Sequence, residues 1–130
     1  MKSLSEAVRR GELHTADCPS RDELKHASSL WGVLCLLALR GETLRFSELR
    51  RRATGVSEKM LAQTLKRLEK DGLVERVAHP VVPPHVEYSL TSLGQGLTEH
   101  VAALADWIEF NLPEIMAARR ATGDLTEPVQ

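Results

Sequence analysis

The chain has 130 residues, 42% hydrophobic and 27% charged but only 4% aromatic, which fits one ordinary domain around a single core and argues against a two-domain enzyme. Seventeen Lys and Arg against eighteen Asp and Glu leave a formal charge of -1, so the chain as a whole carries no electrostatic signal for nucleic acid or membrane. The longest uncharged run, Ala27 to Leu39, is well short of the roughly 20 apolar residues of a membrane-spanning helix.

The first ten residues lack the apolar region and cleavage site of a secretory signal. The expected location is therefore cytoplasmic, with no membrane partner. Two cysteines, Cys18 and Cys35, are too few for a disulfide scaffold, and no Cys-x-x-Cys pair offers zinc or redox chemistry. Charge is uneven along the chain. Arg45 to Arg76 holds nine basic and five acidic residues, a surplus of four positive charges, and the remainder is correspondingly acidic. Such a segment either faces a polyanion or merely solvates the outer sides of two helices.

In chain order, Ser3-Leu4-Ser5-Glu6 has capping-box spacing with Gly11 as a stop, which predicts a short helix. Ser20-Arg21-Asp22-Glu23 repeats the spacing, with Leu24 placed to staple onto Pro19 and Cys18 just outside the cap. Leu30 to Leu39, apolar all round and closed by Arg40-Gly41, predicts a central buried helix. Phe46, Leu49 and Ala53 give a short helix with Arg50, Arg51 and Arg52 on its wetter side, and Thr54-Gly55-Val56 makes a turn. Ser57 then caps a helix of about four turns that ends at Asp71-Gly72. At 100° per residue, Leu61, Leu65 and Leu68 share its inner face with Met60 and Thr64 on one shoulder. Lys59, Gln63, Lys66 and Lys70 lie opposite, with Arg67 at the margin and Ala62 on the flank.

Leu73 to Ala78 and Val86 to Leu90 suit the two strands of a hairpin, and the connection His79-Pro80-Val81-Val82-Pro83-Pro84-His85 suits a stiff projecting loop. Thr91 can cap a long helix whose Leu93, Leu97, Val101, Leu104, Ile108 and Leu112 form an apolar seam, buried within one subunit or between two. Pro113 is expected to end or kink it and to open a short helix through Arg120, and 122–130 reads as a flexible tail.

A short helix, a glycine turn and a second helix with a cationic outer side have helix-turn-helix proportions, and the hairpin makes the unit a winged helix. The fold class is mainly α with a small β-hairpin wing. Lys and Arg reach phosphates, and the Gln63 amide reaches base edges. Candidate DNA contacts are therefore Lys59, Gln63, Lys66, Arg67 and Lys70, with Ser57, Met60 and Thr64 on the same helix. Arg45 and Arg50 to Arg52 stand at its approaches, where some must form surface ion pairs instead, and His85 lies in the wing.

These residues carry a resemblance to the HxlR family of bacterial winged helix-turn-helix regulators. It runs from Cys18-Pro19-Ser20-Arg21-Asp22 through Trp31, Gly41 to Arg50, Ser57 to Leu61 and Leu68 to Leu73. Pro80 to Gly94, with Val-Pro-Pro-x-Val-Glu-Tyr, is its most specific stretch. The resemblance implies a homodimer on a two-fold-related double-stranded DNA operator, with dimer contacts from the N- and C-terminal helices and Leu97, Val101, Leu104 and Ile108 as candidates. It divides the chain into an arm or short helix (1–17), a DNA-binding domain (18–94), dimerisation helices (91–121) and the tail. The chain departs from the family at Ser28-Ser29-Leu30 and at His79, where a tyrosine commonly stands. Some members respond to an oxidant or small electrophile through a cysteine at the position of Cys18. A helix N-terminus and Arg21 favour its thiolate while Asp17, Asp22 and Glu23 oppose it, so Cys18 either senses or fills space. Cys35, among Val33, Leu34, Leu36 and Leu37, reads as a core thiol.

An enzyme would need a nucleophile with its base, a metal cluster or a phosphate loop. His14, His26, His79, His85 and His100 lack metal-motif spacing, and Gly94-x-Gly96 at a helix start is no dinucleotide loop. Neither catalysis nor a cofactor is expected. The remaining alternative is a winged helix used for protein contacts without DNA, whose exposed stripe would be apolar or mixed.

Overall fold

The computed structural model describes residues 3–12 and 18–123. Expectations for His14, Asp17 and the tail from residue 124 onward therefore lie outside the described residues. The elements run α1 (Leu4–Arg9), α2 (Pro19–Ala27), α3 (Leu30–Ala38), β1 (Leu44–Arg45), α4 (Phe46–Arg52), α5 (Glu58–Lys70), β2 (Val74–His79), β3 (His85–Leu90) and α6 (Ser92–Ala121). The strands form an antiparallel sheet in the order β1-β3-β2, with Val74 opposite Leu90, His79 opposite His85, and Arg45 opposite Glu87. This is the mainly helical winged helix-turn-helix that the sequence predicts. Strand β1 escaped the sequence reading because two residues carry no alternation.

Side-chain caps start several of these helices. Ser3, Ser29, Ser57 and Thr91 each accept a hydrogen bond from the backbone N–H three residues on, satisfying donors that the first turn leaves orphaned. Helix α2 differs from expectation. It begins at Pro19 with Cys18 as N-cap, because the fixed φ of proline suits the first helical position and its missing N–H costs nothing there. Leu24 consequently faces solvent rather than stapling the start. Leu61, Leu65 and Leu68 of α5 pack against α3 and close the core together with Leu36, Leu39 and Leu49. Each such leucine contributes about 1.5–3 kcal/mol of burial.

One junction fixes where α6 leaves the domain. The Thr91 hydroxyl donates to the Gly72 carbonyl at 2.6 Å and accepts from the Gly94 N–H at 3.0 Å, while the Thr91 N–H donates to the Leu73 carbonyl at 3.1 Å. Gly94 lies so close beneath that turn that a Cβ there would stand 2.0 Å from the Leu73 carbonyl oxygen. Beyond it α6 is one continuous 30-residue helix with Pro113 inside, so of the expected end or kink at Pro113 the end does not occur. Good helix formers flank Pro113, and the Glu109 carbonyl it deprives of a partner lies on an exposed residue that water can reach.

Helix α2 is held to α5 by Arg67. Its guanidinium donates to Asp22 and to Asp71, both at 2.8 Å, with Glu23 at 3.6 Å. The hydrogen bond from Arg67 lowers the pKa of Asp22, whereas burial and the neighbouring Asp71 carboxylate raise that of Glu23.

Replacing Gly94 by alanine should cost about 2–3 kcal/mol in chemical denaturation, since the obstructing atom is backbone and cannot turn aside. Arg67→Ala should speed amide exchange through Pro19–Ala27 while α5 stays protected. The wild-type protein should loosen at the same place in acid. Because the Asp22 pKa is depressed in the fold, its contribution is present above the ordinary value of 3.8 and disappears as pH falls below it.

Candidate nucleic-acid interface

Burying three leucines on one side of α5 forces the other side outward. Lys59, Gln63, Lys66 and Lys70 are all exposed, as is Ser57 at the cap. Met60 is 41% exposed, more than its shoulder position suggested. Thr64 is half-buried, its hydroxyl donating to the Met60 carbonyl at 2.8 Å. Trp31, Met60, Gln63 and Thr64 share a groove of about 410 Å³ beside the lysine stripe.

The structure sorts the basic residues into two groups. Arg50 bonds Glu58 at 2.9 Å, Arg52 grips both oxygens of Glu42 at 2.5 and 3.1 Å, and Arg67 is engaged as above. Arg52 thereby holds the Glu42 carboxyl below its usual range. Arg67, expected at the margin of the DNA-facing stripe, is corrected to a tether between two helices. Lys59, Lys66, Lys70, Arg45, Arg51 and Arg76 enter no ion pair among the described residues. The unpaired cations thus include all three lysines of the stripe.

In the wing, the segment between β2 and β3 places Val82 wholly in solvent. His85 is half-buried, its ring 4.6 Å from that of His79 and its Nε2 4.0 Å from Glu87 Oε1. In the sequence these histidines lack metal-motif spacing. The hairpin register brings them together, and no linear spacing announces it. Cys18 is partly exposed at the start of α2. Cys35 is fully buried, and burial pushes its thiol pKa up to about 11.

The apolar seam of α6 divides. Val101 packs into the core of its own domain, which corrects its expected dimer role, and Leu97 lies half-buried against that core. Past Ala102 no residue of α6 is buried. Leu104 and Ile108 stay exposed, joined by Trp107 at 59% and Phe110 at 81%. The sequence reading did not single out those aromatics, because it followed a leucine-like spacing that they fall between.

Among the described residues, no helix is long and apolar enough to cross a membrane. The family model for HxlR-like helix-turn-helix proteins matches residues 27–116. The chain is 63% identical over 117 residues to the uncharacterized HTH-type transcriptional regulator YtfH of Escherichia coli K12, covering 90% of this chain and 93% of that protein. Its fold is similar to the solved structure of ytfH from Salmonella typhimurium, with a TM-score of 0.79, 63% identity, and coverage of 83% of this chain and 96% of that one. It is also similar to the redox regulator HypR in its oxidized form, with a TM-score of 0.67, 35% identity, and coverage of 72% and 97%. The chain belongs to the HxlR-like helix-turn-helix family and is a transcriptional regulator of the helix-turn-helix type.

Proposed function

We propose that the protein is a cytoplasmic homodimer that binds a two-fold-related operator, each α5 entering a major groove about 34 Å from its twin. The observation that carries this reading is the side of α5 on which Lys59, Lys66 and Lys70 stand exposed around Gln63, without an ion pair among the described residues. Lysines reach phosphates and set affinity, while the amide of Gln63 reads a base edge. Ser57, Met60 and Thr64 adjoin the same surface, and Arg45, Arg51 and the wing residue His85 stand where flanking backbone would pass. Arg50 reaches phosphate only by giving up Glu58. A winged helix serving protein contacts alone would instead favour a mixed or apolar stripe.

Dimerisation rests on the exposed half of α6. Leu104, Trp107 and Ile108 form an apolar strip on a helix that extends past its own domain, and an exposed strip of this kind marks an interaction surface. A second copy covering the same strip satisfies both subunits at once. Cys18 is the thiol on which an oxidant or small electrophile would act, being partly exposed where Cys35 is sealed. The similarity to a redox regulator supports this part of the reading.

With a duplex selected from a random-sequence library, log affinity should fall steeply with log salt. Lys66→Ala with Lys70→Ala should flatten that slope by about 1 per lysine, and Gln63→Ala should change the preferred sequence with the slope intact. A salt-independent interaction would favour protein contacts instead. Treating the protein with a thiol oxidant should shift DNA affinity, and Cys18→Ser should abolish the shift. In sedimentation velocity the wild type should run as a dimer and Leu104→Glu with Ile108→Glu as a folded monomer.

A further inference from the structure

His79 and His85 are register partners at the last rung of the hairpin, and Glu87 follows His85 by two residues. Partners across an antiparallel ladder, and residues two apart along a strand, share one face of the sheet. All three side chains therefore meet on the outer side of the wing, at the mouth of the proline-rich loop. One donor atom from each lies within 4.8 Å of the others. Nε2 of His79 is shielded from solvent and lies against Glu87 Oε1.

We propose that His79, His85 and Glu87 bind a divalent d-block ion of the zinc type, with water completing a four-coordinate site. Two imidazoles and one carboxylate are the donor set of three-ligand zinc centres, whereas calcium and magnesium require oxygen cages. Metal–ligand bonds of about 2.0–2.2 Å put tetrahedral donor atoms about 3.3 Å apart. To reach that spacing His79 and Glu87 must separate slightly while His85 draws in, on a ladder whose register already faces the rings together. Arg45 is the register partner of Glu87 on β1. The ion would join β2 to β3 where the loop leaves them and add positive charge to the wing. The inference is independent of whether the protein binds DNA.

Full-length protein without a histidine tag would be titrated with Co²⁺ and then Zn²⁺. One Co²⁺ per chain is expected, with the visible absorption of a four-coordinate nitrogen and oxygen site that Zn²⁺ bleaches. His79→Ala, His85→Ala and Glu87→Gln should each weaken binding by about 100-fold or more, while His100→Ala should leave it unchanged. Unaltered affinity in the three wing variants overturns the assignment, as does sulfur in the first coordination shell by X-ray absorption. If a variant fails to fold, ring-nitrogen NMR of the wild type decides: Zn²⁺ should shift the His79 and His85 signals together. Rings that ignore Zn²⁺ would show that the three groups are only a cross-strand ion-pair cluster.

Discussion

Leu61, Leu65 and Leu68 are essentially absent from the surface, and a helix that commits one side to a core at 100° per residue has no choice about the other. The interface follows from that constraint. Lys59, Gln63, Lys66 and Lys70 are positioned less by their own interactions than by leucines that cannot be anywhere else. Removing one such leucine would cost about 2–5 kcal/mol. The orientation of the stripe therefore rests on core packing, while the residues that touch a partner remain free to differ.

The basic surplus of the central segment is partly cancelled by the fold, and the cancellation is selective. Arg50, Arg52 and Arg67 are engaged by carboxylates, in two cases through more than one guanidinium bond, as their planar fork favours. The three lysines of α5, compact charges on flexible stems, stay unpaired. Half of the segment's arginines hold the scaffold, while all of its lysines furnish the field. Arg67 illustrates the distinction: it lies on the recognition helix yet faces α2, so it steadies the segment that begins at Cys18.

Helix α6 has two parts with different physics. Gly94, Thr98, Val101 and Ala102 seat its first turns on the domain, with the Thr91 hydroxyl bridging to the end of α5. Among the described residues nothing covers the later turns, which present Leu104, Trp107 and Ile108. The same rigid rod thus runs from the α5 terminus to the exposed strip. A close contact at Gly94 sets the angle between them.

The sequence by itself determined the amphipathic α5, the turn before it, the hairpin and the long final helix, because each depends on local caps, glycines and periodicity that a neighbour-by-neighbour reading can follow. It placed the cationic stripe for the same reason. Only the tertiary structure decided which basic residues are engaged, that Val101 faces inward, that α2 starts at Pro19, and that His79 meets His85 and Glu87. Those outcomes depend on partners distant in sequence, such as Asp22 with Arg67, or on strand register. Periodicity along one element says which way a side chain points, and the rest of the chain determines what it meets there.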